Sequence, residues 1–121
     1  MTKASSVLLV EDDPDVAWGL REALEFEGYA VHAAANGQEA LQHLRGGATA
    51  PCVILLDWKM PVMGGSHFLH ELTQSPQERP AVIVLTASSN TDIQAFDSDV
   101  SVMRKPVDLD DLLEAIRAHC A

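Results

Sequence analysis

At 121 residues and 47% hydrophobic, the chain is one domain's worth and can build a core without staples. Its 18 acids against 8 bases leave a net charge of −10, which repels nucleic acid and anionic membrane and argues against direct binding to either. The opening MTKASSVLLVEDD has an apolar run of only four residues before three acids, which excludes a signal peptide or a spanning helix and points to the cytoplasm.

Ser6–Val10 is the first expected strand. Asp13 then reads as a helix N-cap with Pro14 at the first helical position, and Val16, Leu20, Ala23 and Leu24 recur at helical spacing up to Gly28. Tyr29–Ala34 is a weaker strand, Asn36-Gly37 a turn, and Gln38–Arg45 a short helix. Cys52–Leu56 is a third strand, its consecutive apolar residues typical of a strand covered on both faces. Gly64-Gly65 precede a helix with Phe68, Leu69 and Leu72; QSPQERP is a loop; Ala81–Leu85 is a fourth strand. Asn90–Phe96 has room for little more than a turn or two of helix. Val100–Met103 is a fifth strand, and Leu109, Leu112, Leu113 and Ile116 mark a last amphipathic helix. The two cysteines suggest no disulfide framework: Cys52 reads as a small core residue and Cys120 as part of the tail. Strands alternating with helices predict an α/β fold, a parallel sheet with helices on both faces, whose site lies beyond the carboxyl ends of the strands.

The residues at those carboxyl ends carry chemistry. The first strand runs into Glu11, Asp12 and Asp13, the third into Asp57, the fourth into Thr86 and the fifth into Lys105-Pro106. Carboxylates brought so close raise one another's pKa unless a cation shares the site, and an all-oxygen pocket suits Mg²⁺. Such a set meets the demands of phosphoryl transfer to a carboxylate: a nucleophile in Asp57, a metal and a lysine to offset charge, and a hydroxyl to bind a phosphoryl oxygen. Each part alone has an ordinary reading, since an Asp ending a strand is commonly a turn or cap residue. The set is specific only in its order along the chain.

From VLLVEDDPD through NGQEAL, LLDWKMPVMGG and VLTA to MRKP, the chain resembles the receiver domain of two-component response regulators over its whole length. The resemblance implies a doubly wound five-stranded sheet of order 2-1-3-4-5, with phosphorylation of Asp57 by a histidine kinase or histidine phosphotransfer protein. It implies Mg²⁺ held directly by Asp12, Asp57 and the backbone carbonyl of Lys59, with Glu11 acting mostly through metal-bound water. Thr86 and Lys105 would bind phosphoryl oxygens, and the Lys105–Pro106 bond would be cis. Residues 1–121 read as one receiver domain with no output domain following, whose phosphorylation controls binding of a downstream protein.

Several positions depart from the family's pattern. Val102 stands at the switch position, where an aromatic is usual. Thr86 and Lys105 lie closer in sequence than is common, so a short or irregular fourth helix is expected over Asn90–Phe96. Lys59 sits where side chains tune hydrolysis of the phosphoryl group, and Gly64 replaces an acid or amide. Val102 and the shortened helix raise the alternative of an interaction protein that keeps the fold without switching. An aspartate-nucleophile phosphatase of the haloacid-dehalogenase kind would need an acid two residues after the nucleophile, where Lys59 stands. His67 and His70 lack a third ligand at suitable spacing and read as a solvated helix face. Trp18 falls off the apolar stripe of its helix, and Trp58 is expected to half-cover a groove beside Asp57.

Overall fold

Five short strands, β1 (Ser6–Val10), β2 (Ala30–Ala34), β3 (Val53–Asp57), β4 (Ala81–Thr86) and β5 (Val100–Arg104), form one parallel sheet in the order β2-β1-β3-β4-β5. The computed structural model describes residues 6–46, 51–58, 65–73, 80–86 and 100–120. Within them lie helices α1 (Pro14–Phe26), α2 (Gly37–Arg45), α3 (Gly65–Thr73) and α4 (Leu109–His119). The QSPQER part of the expected loop and the short helix expected over 90–96 fall outside the described residues.

All five residues of β3 are buried, as an unbroken apolar run at the centre of a sheet requires. Its side chains alternate between two cores. Ile54 and Leu56 pack with Ala40 and Leu41 of α2 and Phe68 and Leu72 of α3, whereas Val53 and Leu55 pack with Leu24 of α1 and Leu112, Leu113 and Ile116 of α4. The sheet is therefore covered by α2 and α3 on one face and by α1 and α4 on the other, the doubly wound arrangement expected.

Helix α1 begins as its sequence dictates. The Asp13 carboxylate accepts from the backbone N–H groups of Asp15 (2.9 Å) and Val16 (3.4 Å), and Pro14 follows in the position where its missing N–H matters least. At its end Gly28 takes φ +98°, a left-handed conformation that glycine adopts without steric penalty. Asn36 caps α2 through a bond from the Glu39 N–H (2.9 Å), while the Glu39 carboxylate accepts from Ala35. Helix α2 rests on β2 partly through two imidazoles, His32 and His43, stacked 3.7 Å apart at an interplanar angle of 8°.

Element ends shift by a residue for identifiable reasons. Tyr29 does not open β2, because its N–H is bonded to the Leu24 carbonyl at the end of α1 (3.1 Å). β3 and β4 take in Asp57 and Thr86 because the ladder continues through the pairs Asp57↔Leu85 and Thr86↔Arg104. Leu109, expected on the buried stripe of the last helix, is half exposed at its first position, and burial starts at Leu112. The reading of the cysteines is corrected outright: Cys52 and Cys120 form a disulfide, with Cα atoms 5.3 Å apart. Cys52 directly precedes β3 and Cys120 directly follows α4, and the fold brings those two ends together although 68 residues separate them.

These placements set two expected outcomes. Phe68→Ala, in the core, lowers stability by about 3–5 kcal/mol in urea unfolding, whereas Phe26→Ala, at a position 88% exposed, changes it by under about 0.5 kcal/mol. Partial burial, and after it the neighbouring His32, hold His43 below its ordinary pKa of 6.5, so folding favours the neutral ring. That contribution is fully present above the unfolded value and is lost as pH falls through the lowered folded one. His43→Gln therefore shows a smaller drop in urea midpoint than the parent between about pH 7.5 and about pH 5.5.

Candidate functional site

Register builds the site. Val10 of β1 pairs with Leu56 of β3, so the next residues along, Glu11 and Asp57, come level. Asp57 pairs with Leu85 of β4, Thr86 pairs with Arg104 of β5, and Lys105 follows. The backbone extends the same pattern past the strand ends: the N–H groups of Glu11, Trp58 and Lys105 donate to the carbonyls of Ala34 (3.0 Å), Leu85 (3.1 Å) and Thr86 (2.8 Å). Glu11, Asp57, Thr86 and Lys105 are thus each the last residue of a strand or the first beyond it, and Asp12 is the second beyond β1.

Lys105 Nζ lies 3.0 Å from Asp57 Oδ1 in a charged hydrogen bond, and 3.8 Å from Glu11 Oε1. Glu11, Asp12 and Asp57 each offer a carboxylate oxygen, all within 4.8 Å of one another. Asp12 is exposed, but Glu11 and Asp57 are only 5% and 6% exposed, and Thr86 beside them at the end of β4 is 3% exposed. Glu11 Oε2 accepts from the Asp13 N–H (3.1 Å), while its buried Oε1 has no hydrogen-bond partner among the described residues.

The electrostatics follow from that crowding. Burial, opposed by the hydrogen bond from Asp13 but reinforced by the charge of Asp57, raises the Glu11 carboxyl to about 7. Burial also works against the Lys105 ammonium, but its bond to Asp57 and the charges of Asp57, Glu11 and Asp12 outweigh it and raise its pKa. Among the described residues, three acids against one lysine leave the pocket short of positive charge, and the Glu11 oxygen without a hydrogen bond points to the same deficit. Hard oxygen donors that are partly buried and short of cation fit Mg²⁺ by the chemistry of the donor set.

A profile of the response regulator receiver domain matches residues 7–117. The chain belongs to that family. As a receiver domain it is a module of two-component signalling, and the family typically binds Mg²⁺ and is phosphorylated. It is 33% identical over 115 residues to the uncharacterized transcriptional regulatory protein YkoG of Bacillus subtilis, covering 93% of this chain and 49% of that protein. It is 32% identical to the response regulator MprA of Mycolicibacterium vanbaalenii, covering 93% and 48%. The chain thus spans about half the length of these curated relatives. Among solved structures, the signal receiver domain of a histidine kinase from Syntrophus aciditrophicus superposes with a TM-score of 0.84 at 29% identity, covering 97% of this chain and 90% of the other. A response regulator receiver domain from Clostridium thermocellum gives 0.83 at 28%, covering 96% and 94%.

The receiver brings Glu11, Asp12, Asp57, Thr86 and Lys105 to one end of its sheet. The Lys105–Pro106 bond is cis. Lys59 and Gly64 lie outside the described residues. Val102, at the expected switch position, is two positions before Arg104 on the edge strand β5 and 44% exposed. His67 and His70 are exposed on α3, with His67 Nε2 3.8 Å from Glu71. Trp58 is partly buried against the α2–α3 core. Trp18, 64% exposed, lines a groove of about 290 Å³ beside Glu11 and Asp12, together with Pro14 and Arg21 of α1 and Ala33–Ala35. The position of Trp18 off the apolar stripe of its helix is the one sign of this groove in the sequence.

Because the folded pKa of Glu11 is raised, its charging opposes folding: the loss begins as pH rises past its ordinary 4.5 and is complete above about 7. In EDTA, Glu11→Gln accordingly melts at a higher temperature than the parent at about pH 8 and at nearly the same temperature at about pH 4.

Proposed function

We propose that this receiver accepts one phosphoryl group on Asp57 from a histidine kinase or histidine phosphotransfer protein, and that the modified surface controls binding of a downstream protein. The observation that carries this reading is the Asp57 carboxylate, buried at the end of the central strand and bonded to Lys105 at 3.0 Å inside a cluster of acids. A carboxylate oxygen of Asp57 attacks phosphorus as the bond to the donor's leaving group breaks, giving an aspartyl phosphate. Lys105 exchanges its pairing with Asp57 for pairing with a phosphoryl oxygen, and the Thr86 hydroxyl donates to another. Asp12, Asp57 and the Lys59 carbonyl would hold Mg²⁺, with Glu11 orienting its water. Bound there, the ion offsets the charge of donor and acceptor.

Nothing in this scheme needs a second turnover. The residue two beyond Asp57, where a phosphatase of this chemistry places its general acid, is Lys59. Residues 1–121 serve as one receiver unit. A net charge of −10 supports a protein rather than a nucleic acid as the partner it touches. No helix among the described residues is long and apolar enough to cross a membrane. A cytoplasmic site of action is the proposal.

The test is intact mass after incubation with acetyl phosphate and Mg²⁺. One phosphoryl group appears on the parent and none on Asp57→Asn or in EDTA, while Lys105→Met accepts it about 10²-fold more slowly. An Asp57→Asn protein that took up phosphate as well as the parent would sink the assignment. Glu11→Gln is expected to weaken Mg²⁺ binding, read from Trp58 fluorescence, by about 10-fold or more.

A further inference from the structure

Helix α4 and strand β3 are tied to each other at both ends. At the carboxyl edge of the sheet, Asp57 ends β3 and pairs with Lys105, four residues before α4 begins. At the opposite edge, Cys52 directly precedes β3 and is bonded to Cys120, directly after α4. The lengths match: an 11-residue helix rises about 16 Å, and a five-residue strand spans about the same. Between the two ties, Leu112, Leu113 and Ile116 bury against the core shared with Val53 and Leu55.

The last turn of α4 has little else to hold it. Beyond Ile116, residues Arg117, Ala118 and His119 are exposed. Arg117 reaches Glu27 at 3.5 Å, a pair at the surface, and such pairs contribute little. The Cys120 N–H closes the helix on the Ile116 carbonyl (2.8 Å), which is a bond within the turn and anchors it to nothing outside. The disulfide does that anchoring. Both cysteines are partly buried at the margin of the α1–α4 core, packed against it but outside its fully buried residues, so a reductant can approach the pair from solvent.

We propose that Cys52–Cys120 is a redox-responsive latch on the last helix. It fastens the final turn of α4 to the base of β3 when oxidised and frees that turn when reduced. It gives the receiver an input that is chemically separate from phosphoryl transfer and sits at the other end of the same helix. The reductant is a dithiol. One of its thiolates attacks a sulfur of the pair, the S–S bond breaks, and the other cysteine leaves as a thiolate that takes up a proton. The second thiol of the reductant then closes on the mixed disulfide and releases the remaining cysteine. The pair gains two electrons and two protons in all, and the dithiol becomes a disulfide. In a reducing compartment disulfides are usually transient and redox-sensing, which suits a latch better than a permanent staple.

The experiment uses the full chain, oxidised in air or with diamide, and then treated with dithiothreitol. Before reduction, iodoacetamide under denaturing conditions labels neither cysteine; after it, both. Reduction lowers the melting temperature by on the order of 10 °C. It also speeds amide exchange over 117–120 by on the order of tenfold, leaving β3 protected. Cys52→Ser/Cys120→Ser behaves like the reduced parent and ignores the reductant. Free thiols in the oxidised protein would overturn the latch. So would unchanged melting and exchange after reduction, or a double variant that still responds to dithiothreitol. Should the variant fail to fold, the oxidised and reduced parent alone decide the matter.

Discussion

Everything chemical in this molecule depends on the register of the parallel ladder around β3. Val10 opposite Leu56, Asp57 opposite Leu85 and Thr86 opposite Arg104 set the residues at four strand ends in one row. A slip of one residue would turn Ile54 and Leu56 towards the α1–α4 face and Val53 and Leu55 towards the α2–α3 face. It would also carry Asp57 away from Lys105. Close packing of the two cores opposes such a slip, so the same apolar run that builds the core also fixes the distance of the Asp57 carboxylate from its lysine. Core and site are one constraint seen at two points along a strand.

What the register assembles is electrostatically poor for folding. Glu11 is buried with one oxygen that accepts no hydrogen bond among the described residues, its carboxyl held near 7, and Lys105 is the one ammonium that the described residues set among Glu11, Asp12 and Asp57. Apolar residues in these places would pack better. The proposed binding of a divalent cation and a phosphoryl group calls for a pocket that is charged beforehand, and a conflict between stability and readiness is the expected mark of such a site. Lys105 eases the conflict in the resting protein by sharing Asp57, and the same contact leaves it poised to follow incoming negative charge.

Much of this was legible because it is written in local chemistry. Asp13-Pro14 specifies a helix start by hydrogen bonding and fixed φ, and the structure puts the cap where those residues stand. Four apolar residues ending in Asp57 specify a central strand with a carboxylate at its mouth. The family pattern then ordered the strands, which local chemistry cannot do. Other features depend on tertiary placement. Tyr29 looks like strand, but its N–H is taken by the end of α1; Leu109 keeps the helical period yet lies too near the edge to be covered.

The cysteines show the same limit most plainly. Read one at a time, Cys52 belongs to an apolar run and Cys120 to a tail, and nothing local joins them. They meet because α4 is as long as β3 and runs back across the sheet from the site end, so that the residue after the helix arrives beside the residue before the strand. That fact about lengths and directions appears only once the strand order is known. It also gives α4 its particular mechanical position. The segment leading into the helix is held by an ion pair where phosphoryl chemistry is proposed, and the helix by apolar burial along its middle and by a covalent bond at the far end. A helix held so can transmit little of a change at Lys105 by moving as a whole. With the far bond open, its last turn is free to respond, and the oxidation state of two sulfurs becomes a setting for how stiffly the receiver answers its first signal.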